Sequence, residues 1–212
     1  MPEALAILGA SGHGKVVADA AEQSGWGSIV FFDDAWPTIT VNGCWNVVGT
    51  TADLLLALSK YDGVIVAIGN NAIRARKIVE LSASGAELAK VVHPHASVSK
   101  HATLGAGSVV FAGAVINVGT ICGIGTIINT GATIDHDCQL GDFVHVSPNA
   151  SLAGGVIVGS SAWIGMSACV RQMISIGDDS IVGAGACVIA NVPAGRCVMG
   201  VPACEKTNKH KV

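Results

Sequence analysis

VSKHAT LGAGSV VFAGAV INVGTI CGIGTI INTGAT IDHDCQ LGDFVH VSPNAS LAGGVI, residues 98–157, sets the fold, because the chain repeats itself there in sixes. Every block opens on an aliphatic residue except one, which opens on Cys122, itself a small apolar side chain. The same phase runs on through Val158, Ile164, Val170, Ile176, Val182 and Val188 without an insertion. Four places after each opening residue stands a small or β-branched one, such as Ala102, Ser108, Ala114, Thr120 or Ala132. Glycine recurs in the second place, as at Gly105, Gly123, Gly141, Gly159 and Gly177. Neither a helix nor a simple alternating strand has a period of six. Hexad repetition predicts a parallel β-helix, in which each short strand turns a corner and stacks on the coil before it. The aliphatic residue points inward on each face, and second-place glycine is expected to supply corner backbone angles that other residues avoid.

Upstream of residue 91 the pattern is different. Ala4–Leu8 reads as a strand, Gly9-Ala10-Ser11-Gly12-His13-Gly14 as a glycine-rich turn, and Lys15–Gln23 as a helix stopped by Ser24-Gly25. Ser28–Phe32 is a second strand ending in Asp33-Asp34, Thr51–Ser59 a capped helix, and Gly63–Ile68 a third strand. Gly69-Asn70-Asn71 opens a further helix that carries Arg74. This is a small Rossmann-like α/β unit with a parallel sheet, expected over 1–90, followed by the coil over 91–212. A strand, glycine-rich turn and helix start present N–H groups to an anion, so Ser11, Gly12, His13 and Gly14 are candidate phosphate contacts. Gly9-x-x-Gly12-x-Gly14 departs from the dinucleotide fingerprint, and a nicotinamide dehydrogenase is poorly supported. Gly9 also fits a turn needed only for packing. Asp33-Asp34 is open between a ribose contact and a solvated strand end. Gly69, Asn70 and Arg74 complete the candidate substrate set.

Composition narrows the function. Only 13% of the residues are charged and the net charge is −3, which gives no reason to expect nucleic acid or an anionic membrane. No apolar run is long enough to insert in a bilayer and no charged-then-apolar signal opens the chain, so the expected location is cytoplasmic. Seven scattered cysteines without a Cys-x-x-Cys pair indicate neither a disulfide framework nor a zinc ribbon. The polar chemistry of the coil is concentrated in Asn129-Thr130-Gly131-Ala132-Thr133-Ile134-Asp135-His136-Asp137-Cys138 and in His145-Val146-Ser147. An imidazole flanked by carboxylates can accept a proton near neutral pH. His93 and His95 flank Pro94 at the junction and His210 lies in a charged tail, so none of the three is a site candidate.

Together these motifs resemble the left-handed β-helix (hexapeptide repeat) acyltransferases, and more narrowly the UDP-amino-sugar N-acetyltransferases and sialic acid O-acetyltransferases of bacterial glycan biosynthesis. The Gly-Ala-Ser-Gly-His-Gly start, the Asp33-Asp34 strand end, the Ile68-Gly69-Asn70 turn and Gly200-Val201-Pro202-Ala203 carry the resemblance beyond the coil. The left hand of the coil comes from the resemblance, since crossover connections are ordinarily right-handed. The resemblance implies His136 as general base, Asp137 as the acid that orients it and Asn129 in the acceptor site. It also implies His145 beside the acetyl-CoA thioester, with Met166 in the same cofactor cleft. Gly154, at a coil corner, is a candidate oxyanion donor. It further implies acetyl-CoA as co-substrate without a metal, a UDP-linked amino sugar held by the N-terminal unit, and a homotrimer. Trp163 fits either a subunit boundary or the cofactor cleft. Cys204 departs from the usual tail lysine, so Lys206 or another residue has to meet a CoA phosphate. Two other functions share the coil. A zinc enzyme like the gamma carbonic anhydrases would need three histidines, the later two within a hexad, whereas His136 and His145 are nine apart. A scaffold without catalysis would have no use for Asn129, His136, Asp137 and His145 together.

Overall fold

A computed structural model describes residues 3–206; His210 lies outside them. The chain forms β1 (Ala4–Leu8), α1 (Gly12–Gln23), β2 (Ser28–Phe32), β3 (Val41–Asn42), β4 (Trp45–Gly49), α2 (Thr51–Leu56), β5 (Gly63–Val66) and α3 (Asn71–Ala83) before the coil begins. Their sheet has the order β3-β4-β2-β1-β5. It is parallel except for the β3–β4 hairpin, which apolar patterning does not anticipate. Asn42-Gly43 marks that hairpin: Gly43 takes φ +72° and lets Asn42 pair with Trp45 across a two-residue turn. Helix α1 begins three residues earlier than expected, so Gly12, His13 and Gly14 are its first turn.

The coil is built from strands mostly two residues long, on three sheets that are parallel except where the last strand, Cys204–Glu205, returns antiparallel to Cys197–Met199. Register is eighteen residues per turn, as in Val115↔Thr133, Ile121↔Gln139 and Ile127↔His145, until the last turn shortens to sixteen at Ile181↔Cys197. The first residue of each strand points out and the second points in. The hexad aliphatics are those second residues: Ile116, Ile128, Ile134, Val146, Val158 and Ile164 are buried with Ala114, Ala132, Ala150 and Ala162 in one continuous core. The architecture is therefore the expected α/β unit followed by a left-handed parallel β-helix.

Second-place glycines serve a different purpose from the one expected. The corner residue with positive φ is two places further on, where Asp137, Phe143, Asn149, Ser161, Ser167 and Met173 also adopt it. Gly105 is needed for space instead, since a Cβ there would lie 2.4 Å from the Gly123 backbone one coil away. Stacking at strand spacing leaves no room for a side chain at that point of the corner.

The two units share a core. Leu5, Ile7, Val17 and Phe31 pack with Val91, Val109, Phe111 and Ile127 of the coil, whose first strand is Val91–Val92. Arg74 of α3 is the lock between them. It is 1% exposed, and its Nε donates to Gly125 O, Nη1 to Ile68 O and Gly69 O, and Nη2 to Asn71 Oδ1 and Phe143 O. A guanidinium has five N–H donors, and all five are occupied. Burial lowers its pKa to about 10, which still leaves it charged at neutral pH. Its assignment to substrate is therefore corrected: no donor remains for a ligand, and the residue joins α3 to two coil corners.

Candidate active site

His136 stands at the corner after the strand Thr133–Ile134. Asp137 follows it with φ 59°, a left-handed conformation that aspartate tolerates better than most residues. That bend brings Asp137 Oδ2 to 2.8 Å from His136 Nδ1. Asp135 serves the backbone instead, where its Oδ1 accepts from the His136 N–H at 2.8 Å and from Asn117 Nδ2 at 2.9 Å. With the Nδ1 proton held by Asp137, the Nε2 lone pair is free. The side chain is 56% exposed. Its pKa is raised, first by the hydrogen bond to Asp137 and then by the charge of Asp135.

Gly154, one coil on, makes room for the ring, since a Cβ there would lie 2.5 Å from Nε2. The Gly154 N–H has no hydrogen-bond acceptor among the described residues. Ring and glycine line a cleft of about 640 Å³ with Gln139, Ala153, Ile157 and Met173. Cys138, next in sequence, turns inward, its thiol bonded to Ala153 O at 3.3 Å and its pKa raised by burial. A base with an open nitrogen, an unpaired N–H close by and no adjacent thiolate suits direct transfer between two bound substrates.

A second cleft of about 410 Å³ lies at another corner, lined mainly by apolar groups including Trp163, Met166, Ala184 and Met199. Asn129 and His145 line it too, and it shares no residue with the first. Asn129 is therefore not beside His136 within one chain. Seven residues are one hexad and one more, which puts the two on successive corners. Asn129 Oδ1 accepts from Thr130 N–H at 2.8 Å, so its Nδ2 faces His145 Nε2 at 3.3 Å and the imidazole proton sits on Nδ1. That Nδ1 is buried without a partner. His145 stacks on Trp163, with centroids 5.6 Å apart and planes 5° from parallel. Trp163 in turn donates to Ser147 Oγ at 2.6 Å. Burial, followed by the charge of Arg74, holds the His145 pKa down to about 3, with a weak hydrogen bond to the Gly69 backbone opposing in part. Trp163 thus belongs to a cleft.

The glycine-rich turn approaches the second cleft through His13, which lies near the lining residue His145. His13 packs edge-on to Phe111 at 5.6 Å, and its ring centre is 6.4 Å from that of His145. Its Nε2 is buried without a partner, and burial followed by the Arg74 charge lowers its pKa to about 4. His13 is neutral, so it can offer a hydrogen bond but no cation to a phosphate. Gly14 is a packing residue, because a Cβ there would lie 2.3 Å from Gly9 O. Ser11 and Gly12 are exposed, nothing crowds Gly12, and Ser11 makes no side-chain cap. Gly69 is equally uncrowded, whereas Asn70 caps α3 through Ile73 N–H.

Both strand-end carboxylates have internal partners. Asp33 accepts from Ala10 N–H at 2.7 Å and Ala35 N–H at 2.9 Å, which pins the glycine-rich turn. Asp34 accepts from Thr51 N–H at 2.9 Å and pairs with Lys77 at 3.5 Å. The Thr51 N–H is the first cause of its lowered pKa. Asp34 nonetheless keeps 63% of its side chain exposed. Lys77, which no sequence motif singles out, thus ties α3 to this strand end. Among the described residues no cluster of three or more His, Cys, Asp or Glu could hold a metal ion, and no helix is long and apolar enough to cross a membrane.

Comparison with known proteins agrees with this architecture. The PglD N-terminal domain family matches residues 4–81. The GDP-perosamine N-acetyltransferase of Escherichia coli O157:H7 is 34% identical over 185 residues, 84% of this chain and 82% of that protein. The acetyltransferase domain of PglB from Neisseria gonorrhoeae FA1090, solved in complex with acetyl coenzyme A, is 43% identical. It superposes with a TM-score of 0.93 over 97% of this chain and 100% of that one. PerB from Caulobacter crescentus, solved with CoA and GDP-perosamine, is 37% identical over 96% of this chain and 97% of that one, with a TM-score of 0.91. The chain belongs to the hexapeptide-repeat, left-handed β-helix acetyltransferases of bacterial glycan biosynthesis that carry a PglD-type N-terminal domain.

Proposed function

We propose that the protein transfers the acetyl group of acetyl-CoA to the amine of a nucleotide-linked amino sugar, with His136 as general base. The observation that carries this is the His136 imidazole itself: Nδ1 tied to Asp137, Nε2 bare at the mouth of a cleft, and a free N–H at Gly154 beside it. As the sugar nitrogen attacks the thioester carbonyl, its proton passes to Nε2. The oxyanion is received by the Gly154 N–H. The carbon–sulfur bond then breaks, and the imidazolium returns the proton to the departing thiolate. General-base catalysis contributes about 10²–10⁴-fold, and an aimed oxyanion donor about 10²–10³-fold.

Acetyl-CoA takes the apolar cleft of Trp163 and Met166, with His145 at its head. The nucleotide lies along the glycine-rich turn, with phosphate on Ser11, Gly12 and the free N–H groups of α1. Base and donor cleft sit on different corners, so one chain does not complete the site. A homotrimer closes it, with the His136 corner of one protomer facing the Asn129–His145 corner of the next. Dependence on acetyl-CoA accords with a cytoplasmic location. Sequence resemblance points to a UDP-linked acceptor, whereas two of the relatives described above are named for or bind GDP-perosamine.

A CoA-release assay with UDP- and GDP-linked amino sugars, their hydroxyl counterparts and free sialic acid tests this reading. CoA is expected only with amine-bearing nucleotide sugars, and the two nucleotide arms identify the base. Turnover of sialic acid or of the hydroxyl sugars, with none of the amines, contradicts it.

A further inference from the structure

Two consecutive glycines interrupt the side chains on the His136 corner. A Cβ on Gly154 would lie 2.5 Å from His136 Nε2, and one on Gly155 would lie 2.5 Å from Met173 Sδ. The imidazole comes from the coil before and the thioether from the coil after. Both side chains line the same cleft, so the thioether and the open nitrogen share one space over adjacent glycines. Met173 is 76% exposed; its φ of 60° is shared by the other corner residues at this place of the hexad, so exposure and not backbone angle sets it apart. Core packing does not explain it. An exposed apolar side chain that rests on glycine and lines the cleft of the base is placed to touch a ligand.

We infer that Met173 is a specificity-determining residue whose thioether limits the acyl group to the length of acetyl. This rests on His136 being the base. The tetrahedral carbon carries four groups. The attacking nitrogen is at Nε2, the oxyanion is at the Gly154 N–H, and the sulfur leaves toward the cofactor. The fourth group, the acyl methyl, is left with the space over Gly155, and Met173 Sδ closes that space. Met173 has three torsions and is exposed, and it lines this cleft, so shortening it lengthens the pocket.

The test is kcat/KM for acetyl-, propionyl- and butyryl-CoA in the wild type, Met173→Ala and Met173→Asn; asparagine keeps the left-handed conformation accessible. The wild type is expected to prefer acetyl. In both variants the propionyl-to-acetyl ratio should rise about tenfold or more, the scale of one methylene in a snug pocket. The acid limb of the pH profile, set by His136, should not move. An unchanged ratio in both variants overturns the inference, and so does a shifted acid limb, which would mean a loosened corner. The same assay on His136→Ala separates the two claims. Full activity there removes the base, whereas an inactive His136→Ala with an unchanged acyl ratio removes only the role of Met173.

Discussion

In the proposed reaction the chemistry at His136 turns on which nitrogen holds the proton, and the Asp137 hydrogen bond sets that. Because the Asp137 hydrogen bond is the first cause of the raised pKa, it also sets where the base becomes available. A base works unprotonated, so the rate should fall as pH drops through a value above 6.5. Asp137→Asn removes the anion, so its acid limb should move to lower pH, while the plateau falls because the ring loses its orientation. A limb left in place would exclude Asp137 as the tuning group. Gly154→Ala places a methyl group where Nε2 sits. It should lower kcat by about 10²-fold or more, the scale set by losing an aligned base, while leaving the melting temperature within a few degrees. Asp-His-Asp was legible in the sequence as a proton-transfer group, but the division of labour was not. It depends on the left-handed bend at Asp137, and one sequence does not show which carboxylate turns back. The role of Gly154 as room for the ring was equally hidden, because it depends on what stacks eighteen residues away.

Among the elements, α1 and α3 meet the coil through buried polar groups, and that junction should govern stability. Arg74→Met leaves five oxygens without their donor and should destabilise by about 3 kcal/mol or more, read as a lower urea midpoint. Arg74→Lys, with three donors, should fall between. His13 and His145 make the same junction sensitive to acid. Their folded pKa values, about 4 and about 3, lie below the ordinary 6.5. The folded state therefore favours the neutral rings. Stability is complete above pH 6.5 and is lost as pH falls and the unfolded chain takes up the protons, down to the folded values. For His13 the difference is worth about 3 kcal/mol across that window. The urea midpoint should drop between pH 7.5 and 4.5, and less so in His13→Gln; equal slopes would contradict the neutral ring. Strands β1, β2 and β5 and the hexads could be read from apolar runs. The β3–β4 hairpin was missed although Asn42-Gly43 announces it, because its strands carry no clear alternation. Arg74 was misassigned because a cation after a glycine turn looks the same whether it meets phosphate or backbone carbonyls.

For the whole molecule, period six dictated the prism, and the prism dictates that residues seven apart occupy different corners. Under the proposed trimer, Asn129 and His136, grouped by nearness in sequence, meet only across a boundary between protomers. Subunit mixing probes that arrangement. His136→Ala lacks the base, and Met166→Glu puts a charge into the apolar donor cleft, so each alone should be inactive. Mixed in equal amounts and reassembled, they should recover roughly a quarter of the wild-type rate, since each mixed ring of three regains one intact site. No recovery, with mixed trimers present, would place both halves of the site in one chain. The most direct measurement is the turnover of His136→Ala with acetyl-CoA and the accepted amino sugar, alongside its sedimentation. A fall of about 10²–10⁴-fold with an unchanged trimer is predicted; a rate near that of the wild type would contradict His136 as the base.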